Sequence, residues 1–131
     1  MPLILAVDDE PSVRGLVKRL LEPAGYTVLL AENADEALKL LAKSNSPAVA
    51  VCDMHMPGKT GVWLAGQIRE VSPTTAIVLA TADARLPPSE TFRPGIVAYI
   101  LKPFDRAQFL DAVHDAVLWS QQETSRAAHR A

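Results

Sequence analysis

The chain has 131 residues, 49% apolar and 21% charged, with a net charge of 13 − 15 = −2. That size and balance predict one domain with its own hydrophobic core and exclude a disordered chain. A general nucleic-acid-binding surface does not fit the charge, and a lone cysteine, Cys52, excludes an internal disulfide or a CxxC pair.

The three histidines, His55, His114 and His129, are too scattered for a metal-ligand motif. No apolar run approaches the roughly 18 residues of a membrane span. The first apolar stretch, residues 3–7, lacks a basic lead and runs straight into Asp8, Asp9 and Glu10, so it is no signal peptide. The expectation is a cytoplasmic protein without membrane contact.

Residues 3–7, 27–31, 48–52, 76–80 and 97–101 are short apolar runs rich in Val, Ile, Leu and Ala, the pattern of strands covered on both faces. Between them the period becomes helical. Val13, Leu16, Val17, Leu20 and Leu21 form one stripe, and Ala34, Ala37, Leu38 and Leu41 a second. Leu64, Ala65, Ile68 and Val71 form a third, and Phe109, Leu110, Val113, Ala116 and Val117 close the series. Asn33 with Glu36, and Asp105 with Gln108, have capping-box spacing; Pro11 suits a first helical turn and Gly25 a helix stop. Residues 84–95 carry Pro87, Pro88 and Pro94, which predict a short, distorted or displaced fourth helix. After Trp119 the sequence turns polar and reads as a fraying helix end, a tail or the start of a linker over 123–131. Trp63 reads as helix packing, and Trp119 as packing or a contact surface.

Repeated strand–helix units predict an α/β fold: a doubly wound, five-stranded parallel sheet with helices on both faces. Such sheets place their sites at the carboxyl ends of the strands. Asp8, Asp9 and Glu10 follow the first strand, Asp53 the third, Thr81 the fourth and Lys102 the fifth. With strand order 2-1-3-4-5, Asp8, Asp9 and Asp53 converge. Unit charges about 5 Å apart repel by roughly 3 kcal/mol at an effective dielectric near 20, so the cluster needs a counter-charge or a proton. A hard divalent cation such as Mg²⁺, beside a movable Lys102 and the Thr81 hydroxyl, suits an anionic phosphoryl group with a carboxylate as nucleophile. Each piece alone has an ordinary reading: a helix cap, a turn, a strand-end hydroxyl, a solvated lysine.

The combined pattern resembles the receiver (CheY-like) domains of bacterial two-component response regulators, over about residues 2–122. It is carried by Val7-Asp8-Asp9-Glu10, by Val51-Cys52-Asp53-Met54-His55-Met56-Pro57-Gly58 with Gly61, by Ala80-Thr81-Ala82, and by Tyr99-Ile100-Leu101-Lys102-Pro103-Phe104. The resemblance implies a flavodoxin-like fold and a phosphorelay role. Asp53 would accept a phosphoryl group from a phosphohistidine on a sensor histidine kinase or phosphotransfer protein. Asp8, Asp9, Asp53 and the His55 backbone carbonyl would hold Mg²⁺, with Asp8 acting through water. Thr81 and Lys102 would contact the phosphoryl oxygens, the Lys102–Pro103 bond would be cis, and Thr81 and Tyr99 would form the switch. His55 and Asp83 stand where the resemblance implies control of water access to the acyl phosphate. The prolines of 84–95 depart from the pattern at a surface that commonly serves output.

The resemblance implies self-phosphotransfer and autodephosphorylation without turnover of an external substrate, and action through an output partner or fused output domain. Three other readings compete. An aspartyl-phosphate phosphohydrolase needs a second carboxylate two residues beyond the nucleophile, where His55 stands. A nucleotide-binding loop is imitated by Gly58-Lys59-Thr60 but lacks its first glycine. A receiver-like interaction module working without phosphorylation would not need the full set of Asp8, Asp9, Asp53, Thr81 and Lys102.

Overall fold

The computed structural model describes residues 1–82 and 94–130, and among them are five strands and four α-helices. They are β1 Leu3–Val7, α1 Pro11–Leu21, β2 Thr27–Ala31, α2 Ala34–Lys43, β3 Val49–Asp53, α3 Gly61–Val71, β4 Ala76–Thr81, β5 Ile96–Leu101 and α4 Arg106–Arg130. All pairings are parallel, in the order β2-β1-β3-β4-β5. The doubly wound α/β sheet expected from the sequence is therefore the observed fold. The expected distorted helix over 84–95 falls largely outside the described residues; Pro94 and Gly95 form a turn into β5.

Strand side chains alternate between two buried layers, which is why the apolar runs are continuous. Leu5, Val7, Ala50, Cys52, Ile77 and Leu79 face a core layer shared with Ala34, Ala37 and Leu41 of α2 and Leu64, Ala65 and Ile68 of α3. Their neighbours Ile4, Ala6, Val49, Val51, Ala76 and Val78 face the layer built by Val17 and Leu21 of α1 and Phe109, Val113, Ala116 and Val117 of α4. Each fully buried Leu, Ile or Phe contributes about 1.5–3 kcal/mol, so both layers are needed for stability.

Local chemistry sets the helix starts. Asn33 Oδ1 accepts from the Glu36 N–H at 2.8 Å, and Asp105 Oδ2 accepts from the Gln108 N–H at 2.9 Å. Pro11 is the first residue of α1. Gly25, at φ 98°, closes a 3₁₀ turn over Glu22–Ala24 rather than α1 itself. Thr60 caps α3, accepting from the Trp63 N–H at 3.1 Å, so its hydroxyl serves the helix and not a nucleotide phosphate.

Three expectations are corrected. The polar end does not fray after Trp119: α4 continues to Arg130, supported by Thr124 Oγ1 donating to the Ser120 carbonyl at 2.9 Å and by an Arg126–Glu123 ion pair at 3.0 Å. Val71, the last residue of α3, is 64% exposed instead of joining the core stripe. Trp63 is 38% exposed, its ring lying 4.5 Å beneath Lys59 Nζ, which also pairs with Asp35 at 2.8 Å. Trp119 is half-buried against the α1/α4 layer.

Gly61 lets α3 begin directly beneath the end of β3. Its N–H donates to the Met54 carbonyl at 3.1 Å, and a Cβ there would lie 2.3 Å from the Asp53 carbonyl oxygen. Backbone cannot yield as a side chain can, so Gly61→Ala is expected to destabilise the protein by roughly 2–3 kcal/mol in urea unfolding. Gly66→Ala, on the exposed side of the same helix with open space around it, is expected to stabilise by about 0.5–1 kcal/mol.

Candidate functional site

The strand alternation that builds the two layers also assembles the site. Val7 pairs with Cys52, so Asp8, just past the end of β1, stands beside Asp53, the last residue of β3. Asp8 lies two residues past Ala6, Asp53 two past Val51, and Lys102 two past Ile100, all members of the α1/α4 layer. The three side chains therefore emerge on the same side of the sheet at its carboxyl edge. Thr81 and Tyr99 have the opposite parity: Thr81 follows Leu79 by two residues, and Tyr99 packs on the α2/α3 layer.

Asp8 and Asp53 are each 5% exposed. Lys102 Nζ lies 2.6 Å from Asp8 Oδ2 and 3.3 Å from Asp53 Oδ1, bridging the two carboxylates. Its backbone N–H donates to the Thr81 carbonyl at 2.8 Å, which ties the fifth strand's end to the fourth's, and the Lys102–Pro103 peptide is cis as expected. Asp8 Oδ1 accepts from the Glu10 N–H at 3.0 Å, and Asp53 Oδ1 from the His55 N–H at 3.3 Å. Carboxylate oxygens of Asp8, Asp9 and Glu10 all lie within 4.8 Å of one another. An all-oxygen, acidic donor set of this kind fits a hard divalent cation.

Burial pushes the Asp53 carboxyl above its ordinary value of 3.8, and the charge of Asp8 adds to this, while Lys102 and the His55 amide act against it. Burial pulls Lys102 down, but its hydrogen bond to Asp8 and the charges of Asp53 and Asp8 together outweigh that, leaving it raised. Neighbouring Cys52 is fully buried, and burial followed by the Asp53 charge pushes its thiol up to about 12.

The structure thus brings together Asp8, Asp53 and Lys102, with Asp9 exposed at the rim and Thr81 buried at the end of β4. His55 is exposed and Tyr99 half-buried; Asp83 lies outside the described residues. Two features were not read from the sequence. Glu10, grouped with Asp8 and Asp9 after the first strand but given no ligand role there, brings its carboxylate into the acidic cluster. Arg14 donates to the Asp8 carbonyl at 2.7 Å, signalled only by its four-residue spacing from Glu10.

Asp53 binds its proton more tightly in the folded state than a free carboxylate does. The stability from protonated Asp53 is fully present below the ordinary value of 3.8 and is lost as pH rises through the higher folded value. Asp53→Asn is therefore expected to raise Tm by roughly 3 °C at pH 7 in EDTA, with the gain vanishing toward pH 3. Calorimetric melting across that range checks it.

A family model described as a response regulator receiver domain matches residues 4–114. The chain is 33% identical over 122 residues to the DNA-binding transcriptional regulator NtrC of Salmonella typhimurium, covering 92% of this chain and 26% of that protein. With the transcriptional regulatory protein ResD of Bacillus subtilis it shares 37% over 101 residues, 77% of this chain and 42% of the relative. The chain spans about a quarter of the length of the NtrC relatives. Among solved structures, the response regulator protein TrrA of Thermotoga maritima, in complex with Mg(2+)-BeF, superposes with a TM-score of 0.79 at 33% identity, covering 88% and 99% of the two chains. The chemotaxis protein CheY4 of Vibrio cholerae gives 0.81 at 30%, covering 88% and 98%.

Proposed function

Since the chain belongs to the response regulator receiver domain family and is a phosphoryl-accepting signalling domain, we propose that Asp53 is its phosphoryl acceptor, served by Lys102 and Thr81. The observation that carries this reading is Lys102 Nζ lying between the Asp8 and Asp53 carboxylates at 2.6 and 3.3 Å. Burial and Asp8 favour the protonated form of Asp53; Lys102 opposes both and sustains the carboxylate that a nucleophile must be.

In the transfer, an Asp53 carboxylate oxygen forms a bond to phosphorus as the phosphorus–nitrogen bond of a phosphohistidine breaks. The electron pair stays on the donor imidazole. In this reading Lys102 turns its charge from the carboxylates toward the new phosphoryl oxygens, and the Thr81 hydroxyl, at the end of β4, donates to a second oxygen. Asp8, Asp9, Asp53 and the His55 backbone carbonyl form the Mg²⁺ site in this reading, with Glu10 at its edge. Magnesium, when bound, supplies positive charge that offsets the crowded carboxylates and phosphoryl oxygens.

Phosphorylation adds charge and acceptors beside a buried hydroxyl, and that change is the signal. Thr81 and Tyr99 sit on the same side of neighbouring strands, Thr81 pairing with Leu101 and Leu79 with Tyr99. In this reading an inward shift of Thr81 is passed to the Tyr99 ring, and these two residues form the switch. No helix among the described residues is long and apolar enough to cross a membrane, and the proposed setting is the cytoplasm. The donor is a sensor histidine kinase or phosphotransfer protein, and the output is a partner or a fused domain without nucleic-acid contact by this chain. The chain turns over no external substrate in this reading. Residues 2–122 form the receiver unit, and 123–131 extend beyond it.

Incubation with Mg²⁺ and acetyl phosphate, followed by intact-mass measurement, is expected to add one phosphoryl group to the wild type and none to Asp53→Asn. Equal gain by both would reject Asp53 as acceptor. Substituting His55 or Asp83 is expected to change the lifetime of the acyl phosphate severalfold; unchanged decay in both variants would remove them from water control.

A further inference from the structure

Arg14 holds the acidic loop at both ends. Its Nη1 donates to the Asp8 carbonyl at 2.7 Å, and its backbone N–H donates to the Glu10 carbonyl at 3.1 Å. Between these two points lie the three residues whose carboxylate oxygens approach within 4.8 Å of one another. The Asp8 carbonyl belongs to the peptide that joins Asp8 to Asp9. The guanidinium therefore sets the plane of that peptide and the direction in which Asp9 leaves the strand.

The other polar groups of Asp8 are held elsewhere: its N–H by the Ala31 carbonyl, Oδ1 by the Glu10 N–H and Oδ2 by Lys102. Asp9 is exposed, so its placement depends on the backbone that Arg14 fixes. An arginine suits the task because it stays protonated and offers a rigid planar fork of donors. Its charge would repel an incoming cation, whereas its hydrogen bond orders the ligands that receive one. The two effects have opposite signs, so experiment can separate them.

We propose that Arg14 is a positioning residue: by holding the Asp8–Asp9 peptide, it orders the acidic pair for the divalent cation that phosphoryl transfer to Asp53 requires. This rests on the function proposed above. Titration calorimetry with MgCl₂ on the full chain compares wild type, Arg14→Met, Arg14→Lys and the exposed control Lys18→Met. Arg14→Met is expected to weaken Mg²⁺ binding about 10-fold, the scale on which outer partners of metal ligands act. Arg14→Lys is expected to fall between the two, and Lys18→Met to match the wild type.

In EDTA, amide exchange at Asp9 and Glu10 is expected to quicken in Arg14→Met while exchange in β3 and β4 is unchanged. With acetyl phosphate, the MgCl₂ concentration for half-maximal rate is expected to rise and the rate at saturation to stay within about twofold, a split that general destabilisation does not produce. Unchanged or tighter Mg²⁺ binding in a folded Arg14→Met, or unchanged exchange at Asp9, overturns the proposal; if that variant does not fold, Arg14→Lys is judged by the same criteria. Wild type that binds Mg²⁺ and takes the phosphoryl group on Asp53, beside an unaffected variant, removes only the role of Arg14. Wild type that does neither overturns the functional reading and this role together.

Discussion

One ammonium group shared by two buried carboxylates governs the carboxyl edge of this sheet. Asp8 and Asp53 stand side by side at the ends of adjacent parallel strands, and Lys102 bridges both carboxylates at 2.6 and 3.3 Å. Burial of a lone carboxylate is costly, and a second one nearby adds repulsion of a few kcal/mol. The lysine answers both, and its long stem lets it follow whichever anion arrives. A guanidinium in its place would hold a fixed fork and could not be redistributed so readily.

The fold supplies that arrangement through parity and register. A parallel sheet buried on both faces forces alternate residues into opposite layers, and the last residue of each strand inherits the face of the residue two before it. Asp8, Asp53 and Lys102 share one parity because Ala6, Val51 and Ile100 do. The β4–β5 pairing contains a register shift between Ile77 and Val78. Without it, the fifth strand would arrive at the edge with its inward and outward residues exchanged. The lysine's orientation therefore depends on an irregularity far from it, at the opposite end of the strand.

Much of this was legible in the residues. The five strands and the caps at Asn33 and Asp105 follow from apolar runs, helical stripes and capping spacings, whereas the strand order entered as a condition, and the convergence of Asp8 with Asp53 followed once it was granted. The Arg14 contact was not, because a side chain reaching a backbone carbonyl leaves no mark in residue type. Trp63 was assigned to packing because tryptophan is usually buried, yet a stacked lysine lets it remain at the surface. The length of α4 was missed for a related reason. Its last turns carry no apolar stripe, and the local pairs Ser120–Thr124 and Glu123–Arg126 hold them instead. The irregular pairing of β5 was equally invisible, since no proline or glycine within the strand announced it.

Cys52 sits one residue from the proposed acceptor, wholly enclosed, with its thiol held near 12. At neutral pH it is almost entirely uncharged and out of reach of maleimides and iodoacetamides. These 131 residues are thus already suited to single-point labelling: one cysteine introduced on the surface can carry a fluorophore or spin label without first removing Cys52.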